Sequence, residues 1–135
     1  MSKMAKVILC VDDESLGLKL RRLVLEHAGY TVVTAENGAD ALRLFESEDV
    51  TAVVLDYSMP GLDGGKVAAR MRLAKPEVPI MLLSAYVSLP SEVTSQVDMY
   101  MTKGEGAPAL LKALDALLAL PAVSNPNHIS TTAPA

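Results

Sequence analysis

Residues 51–65, TAVVLDYSMPGLDGG, run from an apolar, β-branched segment straight into a single carboxylate, Asp56, and then into a Pro/Gly-rich loop. A run of this kind reads as a buried strand, five or six residues long. A carboxylate at the end of such a strand is costly unless something nearby holds its charge. The partners of Asp56 therefore decide what the chain does.

Similar runs recur on either side. KVILCV (6–11), YTVVTA (30–35), PIMLLS (79–84) and MYMT (99–102) read as four more strands. Helical patterns lie between them. In ESLGLKLRRLVLEHAG, Leu16, Leu20, Leu23 and His27 recur at helical spacing before Gly29. NGADALRLFES has Asn37 as a cap and turns Ala41, Leu44 and Phe45 inward. GKVAARMRLA carries Val67 and Met71 on one face, with Asp63 as its cap. SEVTSQVD (91–98) is at best a short helix, because Pro90 precedes it and Val and Thr dilute its propensity. APALLKALDALLAL (107–120) is a strong last helix. Strands alternating with helices give βαβ units and a parallel sheet covered on both faces. Residues 1–120 form one domain on this reading, and the Pro/Ser/Thr-rich stretch 121–135 reads as a disordered tail.

Composition narrows the function. The chain has 135 residues and a net charge of −4, with no Lys/Arg excess to displace counterions from nucleic acid. Half of it is apolar but only Phe45 and four tyrosines are aromatic, so aliphatic side chains must fill the core. Cys10 is the single cysteine, placed in a buried strand as an inert thiol, and His27 and His128 are too few for a His/Cys zinc site. The apolar run after the N-terminus is too short for a signal peptide, and no segment reads as a membrane span, so the expected location is the cytoplasm.

In open parallel sheets the functional crevice lies beyond the carboxyl ends of the strands. Asp12 and Asp13 follow strand one, Asp56 ends strand three, Ser84 ends strand four and Lys103 follows strand five. Taken singly, each has an ordinary explanation: Asp12 or Asp13 as a helix cap, Ser84 as a turn cap, Lys103 as a solvated surface charge. One polar group at nearly every strand end is harder to explain that way. Two carboxylates about 4–5 Å apart repel by roughly 3–4 kcal/mol at an effective dielectric near 20. Lys103 alone cannot neutralise three acids. A divalent, oxygen-seeking ion such as Mg²⁺ is the natural complement.

VDDE (11–14), LDYSMPGLDGG (55–65), LLSA (82–85) and MYMTKG (99–104) together resemble the receiver domain of two-component response regulators, over about residues 5–120. The resemblance implies a flavodoxin-like, doubly wound α/β fold with strand order 2-1-3-4-5, of the stand-alone single-domain type. It makes Asp56 the phosphoacceptor, served by a sensor histidine kinase or histidine phosphotransfer protein. Asp13, Asp56 and the Ser58 backbone carbonyl would hold Mg²⁺, with Asp12 acting mostly through water. Ser84 and Lys103 would contact the phosphoryl group, and the small Ala85 would leave its path open. Ser84 and Tyr100 would couple phosphorylation to the surface of helix four, strand five and helix five.

Two features depart from that pattern. Gly104 stands where the family usually has a cis proline after the lysine. A cis bond before a non-proline residue costs about 2.5–4 kcal/mol, so the expectation is a trans bond, a flexible KGEG loop and a less fixed Lys103. Ser84 and Lys103 are 19 positions apart, about three fewer than the family spacing, which again predicts a short helix four. Tyr86 and Ser58 fall where the family tunes dephosphorylation. The last helix carries only Lys112 and Asp115 as charges, which points to a homodimer through helix five. Competing readings are a phosphorylation-independent adaptor and a Mg²⁺-dependent phosphohydrolase using an aspartyl phosphate. The second lacks an acid/base Asp two residues after the nucleophile, where Ser58 stands. A signalling module, not an enzyme, is the reading the motifs favour.

Overall fold

The computed structural model describes residues 6–57, 63–85 and 88–120. The expected tail 121–135, the loop around Ser58, Met59, Pro60 and Gly61, and Tyr86 all lie outside the described residues. Five strands alternate with five helices: β1 (Val7–Val11), α1 (Ser15–His27), β2 (Thr31–Ala35), α2 (Gly38–Ser47), β3 (Ala52–Asp56), α3 (Gly64–Ala74), β4 (Ile80–Ser84), α4 (Ser91–Thr94), β5 (Met99–Thr102) and α5 (Ala107–Leu118). All four strand pairings are parallel, in the order β2-β1-β3-β4-β5. This is the doubly wound order implied by the motifs.

Both sheet faces are covered, which is why the central strands are apolar until their last residues, Asp56 in β3 and Ser84 in β4. Leu9, Val53, Leu55, Ile80 and Leu82 pack with Ala41 and Phe45 of α2 and with Val67 and Met71 of α3. Their strand neighbours Ile8, Cys10, Val54, Met81 and Leu83 pack on the opposite face with Leu18 and Leu25 of α1 and Leu110, Leu114 and Leu117 of α5. The alternation follows the period of two along a strand. Cys10 is buried, and burial pushes its thiol pKa up to about 12, consistent with an inert residue. Asn37 and Asp63 cap α2 and α3 as expected, accepting from the backbone N–H of Asp40 and Lys66 at 2.8 and 2.9 Å.

Two sequence readings change. The Leu16, Leu20 and Leu23 stripe of α1 faces outward, with 61%, 54% and 57% of each residue exposed. The inner face is instead Leu18, Arg21 and Leu25, with Leu18 and Leu25 packed on the sheet and Arg21 reaching Asp12 just past the end of β1. Conversely, α5 holds no large exposed apolar side chain. Leu110, Leu114 and Leu117 are buried, and Leu111, Ala113 and Leu118 are partly buried against the same core. Much of the apolar surplus of α5 is thus used within the fold, while Ala107, Pro108 and Ala116 stay exposed.

Candidate functional site

The site forms where β1, β3, β4 and β5 end. Asp56 is the last residue of the central strand β3 and is 3% exposed, and Asp12, just past β1, is 1% exposed. Asp13 beside it is exposed. One oxygen from each of Asp12, Asp13 and Asp56 lies within 4.8 Å of the others. Ser84, at the end of β4, is buried and pairs in register with Thr102 of β5, while Ala85 is exposed. Ser58, whose carbonyl was expected in the same site, lies outside the described residues.

Lys103 bridges two of the acids. Its Nζ is 3.3 Å from Asp12 Oδ2 and 3.3 Å from Asp56 Oδ1. The expected flexible loop is in fact one turn of 3₁₀ helix, Lys103–Glu105. Glu105 closes the turn by accepting from the Thr102 hydroxyl at 2.7 Å and from the Thr102 backbone N–H at 3.3 Å. No cis peptide occurs among the described residues. A side-chain clasp between Glu105 and Thr102 thus closes the turn that begins at Lys103.

Sequence reasoning missed three contributors. Arg21 donates from Nη1 to Asp12 Oδ2 at 3.1 Å, adding a second cation where one was expected. Its signal was position: it falls three residues after Leu18 and four before Leu25, on the buried face of α1. Glu14, not Asp12 or Asp13, caps α1, accepting from the Gly17 N–H at 2.7 Å. Gly64 lets α3 begin directly against β3. Its N–H donates to the Tyr57 carbonyl at 2.7 Å, and a Cβ there would come within 2.6 Å of Tyr57 Cα. Only glycine fits at that approach.

Electrostatics separates the two buried acids. Burial pushes the Asp12 carboxyl up, but the Glu14 N–H, Lys103 and Arg21 together outweigh it and hold its pKa below the usual range. Asp56 is raised to about 6, chiefly by burial and then by the negative charge of Asp12, with Lys103 only partly offsetting both. Three carboxylates and two cations leave the cluster with a net charge of −1, one positive charge short of neutral. A hard divalent cation suits this all-oxygen donor set.

The match to a known family model is decisive: residues 8–115 fit the response regulator receiver domain. The chain belongs to the response-regulator receiver family. This receiver is similar to the transcriptional regulatory protein GlrR of Escherichia coli, 37% identical over 118 residues, covering 85% of this chain and 27% of that protein. It is also similar to the alkaline phosphatase synthesis transcriptional regulatory protein PhoP of Bacillus subtilis, 43% identical over 82 residues, covering 61% of this chain and 34% of that protein. The chain thus spans about a quarter to a third of the length of these two relatives. Among solved structures, the response regulator TrrA of Thermotoga maritima in complex with Mg²⁺–BeF matches with a TM-score of 0.79 at 37% identity, covering 83% of this chain and 98% of that one. A receiver domain from Methanospirillum hungatei matches with a TM-score of 0.80 at 26% identity, covering 85% and 94%. Aspartate phosphorylation and Mg²⁺ binding are typical of the family to which this receiver belongs. No helix among the described residues is long and apolar enough to cross a membrane.

Proposed function

We propose that Asp56 accepts a phosphoryl group from the phosphohistidine of a sensor histidine kinase or histidine phosphotransfer protein, in a Mg²⁺-dependent reaction, in the cytoplasm. The observation that carries this reading is the convergence of Asp12, Asp13 and Asp56, from two strand ends, with Lys103 bridging Asp12 and Asp56 at 3.3 Å. A carboxylate is a weak nucleophile, so the protein's contribution is position and charge. The Asp56 carboxylate attacks phosphorus, the P–N bond breaks, and its electron pair leaves with the imidazole. Lys103 then pairs with the phosphoryl oxygens and Ser84 donates its hydroxyl to them. Asp13, Asp56 and the Ser58 carbonyl would hold Mg²⁺, with Asp12 acting through water. The ion would neutralise charge that builds on the phosphoryl oxygens.

The exposed Leu16, Leu20 and Leu23 stripe lies on the helix that begins two residues after Asp13. It offers an exposed apolar face on which the phosphodonor protein would dock. The net charge of −4 likewise suits a protein partner better than nucleic acid. Incubation with a small phosphodonor tests the reaction. One phosphoryl group per chain is expected with Mg²⁺, and none after the metal is removed with a chelator; metal-independent labelling would contradict the reading.

Output runs through α4, β5 and α5. Tyr100 on β5 is 44% exposed, two residues before Thr102, which pairs with Ser84. Movement of Ser84 toward a phosphoryl group frees space that the ring can enter, shifting the population of this surface. Tyr100→Ala is expected to bind the phosphoryl mimic beryllofluoride as the wild type does. Its amide shift changes, read by NMR, should shrink to the neighbours of Asp56 instead of spreading over α4 and β5. An unchanged spread would remove Tyr100 from the switch.

A further inference from the structure

We propose that Arg21 is a resident counter-ion of the acidic site that holds Asp12 in place of a divalent cation and thereby sets how tightly Mg²⁺ binds. The inference rests on the reading that Asp12, Asp13 and Asp56 receive the metal.

The geometry is specific. Asp12 Oδ1 accepts the backbone N–H of Glu14 at 3.0 Å, and Oδ2 accepts Arg21 at 3.1 Å while facing Lys103 at 3.3 Å. A carboxylate oxygen offers two lone pairs, so Oδ2 is saturated by the two cations. Lys103 is shared with Asp56. Arg21 has no second carboxylate among the described residues, and it lies in an apolar groove between α1 and α5 lined by Leu20, Val24 and Leu110. Its side chain is 13% exposed, so solvent screens it weakly. A water-bridged ion therefore meets an Asp12 whose outer oxygen is already occupied, and Arg21 is the cation that can let go without abandoning Asp56.

Charge acts in the same direction. With Lys103 and Arg21 the three acids form a cluster of net charge −1; without Arg21 it would carry −2. A unit positive charge within roughly 6 Å of a divalent ion alters the ion's affinity about tenfold even at the full screening of water, and weaker screening makes the effect larger, so tenfold is the least expected here. The consequence is regulatory: this receiver fills its metal site only at higher Mg²⁺ than its three carboxylates alone would need.

Calorimetric titration of MgCl₂ into wild type, Arg21→Gln and Arg22→Gln tests this. Arg22 sits beside Arg21 but pairs with Glu26 on the exposed face of α1. Arg21→Gln is expected to bind Mg²⁺ at least about tenfold tighter than wild type, and Arg22→Gln equally to wild type. Equal or weaker binding by Arg21→Gln overturns the proposal. Should that variant not fold, the side-chain Nε–Hε signals of wild-type arginines give the answer by NMR. Saturation with Mg²⁺ should then move the Arg21 signal and leave that of Arg22 in place, and a stationary Arg21 signal overturns the proposal. If no form of the protein binds Mg²⁺ at millimolar concentration, the metal reading of the site fails as well, whereas equal binding by all three sinks the role of Arg21 alone.

Discussion

Lys103→Met is expected to slow phosphoryl transfer to Asp56 by roughly 10²–10³-fold, the usual loss when one charge-stabilising donor is removed from a reacting centre. Methionine keeps most of the stem, so the loss is one of charge. In the resting site the ammonium touches both Asp12 and Asp56 at 3.3 Å. Without it the two buried carboxylates face one another with only Arg21 on Asp12. The Asp56 carboxyl then rises further above its already elevated value, so less of it is an anion at neutral pH. The phosphoryl oxygens also lose the cation that would meet them. Incorporation of a labelled phosphodonor at saturating Mg²⁺ measures the effect, with Lys112→Met on the exposed side of α5 as the unaffected comparison. A rate within about threefold of wild type would remove Lys103 from the reaction.

Asp56→Asn should make the metal-free protein more stable at neutral pH, even though it abolishes phosphorylation. Asp56 is 3% exposed and its pKa is raised from 3.8 to about 6. A carboxyl whose folded pKa lies above its unfolded one favours folding when protonated. Its contribution is full below about pH 4 and is lost as pH rises through about 6. At pH 7.5 the wild type therefore forgoes about 3 kcal/mol relative to a neutral side chain at this position. Thermal melts in chelator across pH 4–8 should show the wild type falling behind Asp56→Asn as pH rises, by several degrees at the top of the range. Added Mg²⁺ should reverse the order by binding the folded wild type. A variant equally or less stable than wild type at pH 7.5 without metal would contradict the electrostatic account.

The fold was legible because its signals are redundant. Every central strand is apolar on both faces, as in VILCV and AVVLD, and Asn37, Asp63 and Gly29 punctuate the helices between them. Asp56, Asp12, Asp13, Ser84 and Lys103 could be placed because a parallel sheet sends its strand ends to one edge. Helix faces were harder to read. Leucines at 16, 20 and 23 have the right period for a buried stripe, yet the buried face of α1 is one step round, at Leu18, Arg21 and Leu25. Periodicity counts hydrophobes and so passes over an arginine whose partner is nine residues back in sequence at a strand end. The turn after Lys103 escaped for a similar reason. Two glycines in KGEG read as freedom, while the constraint comes from Glu105 reaching back to Thr102, a contact that propensity does not encode. Gly64 looked like an ordinary residue after a cap, and its need for close approach to Tyr57 becomes visible only once β3 and α3 are packed.

The central claim is that phosphate goes onto Asp56 and nowhere else. Borohydride reduction of the phosphorylated protein converts an aspartyl phosphate to homoserine, and peptide mass mapping then locates it. The account predicts homoserine at position 56 alone, with none in Asp56→Asn. Homoserine at Asp12 or Asp13, or undiminished phosphorylation of Asp56→Asn, would contradict it.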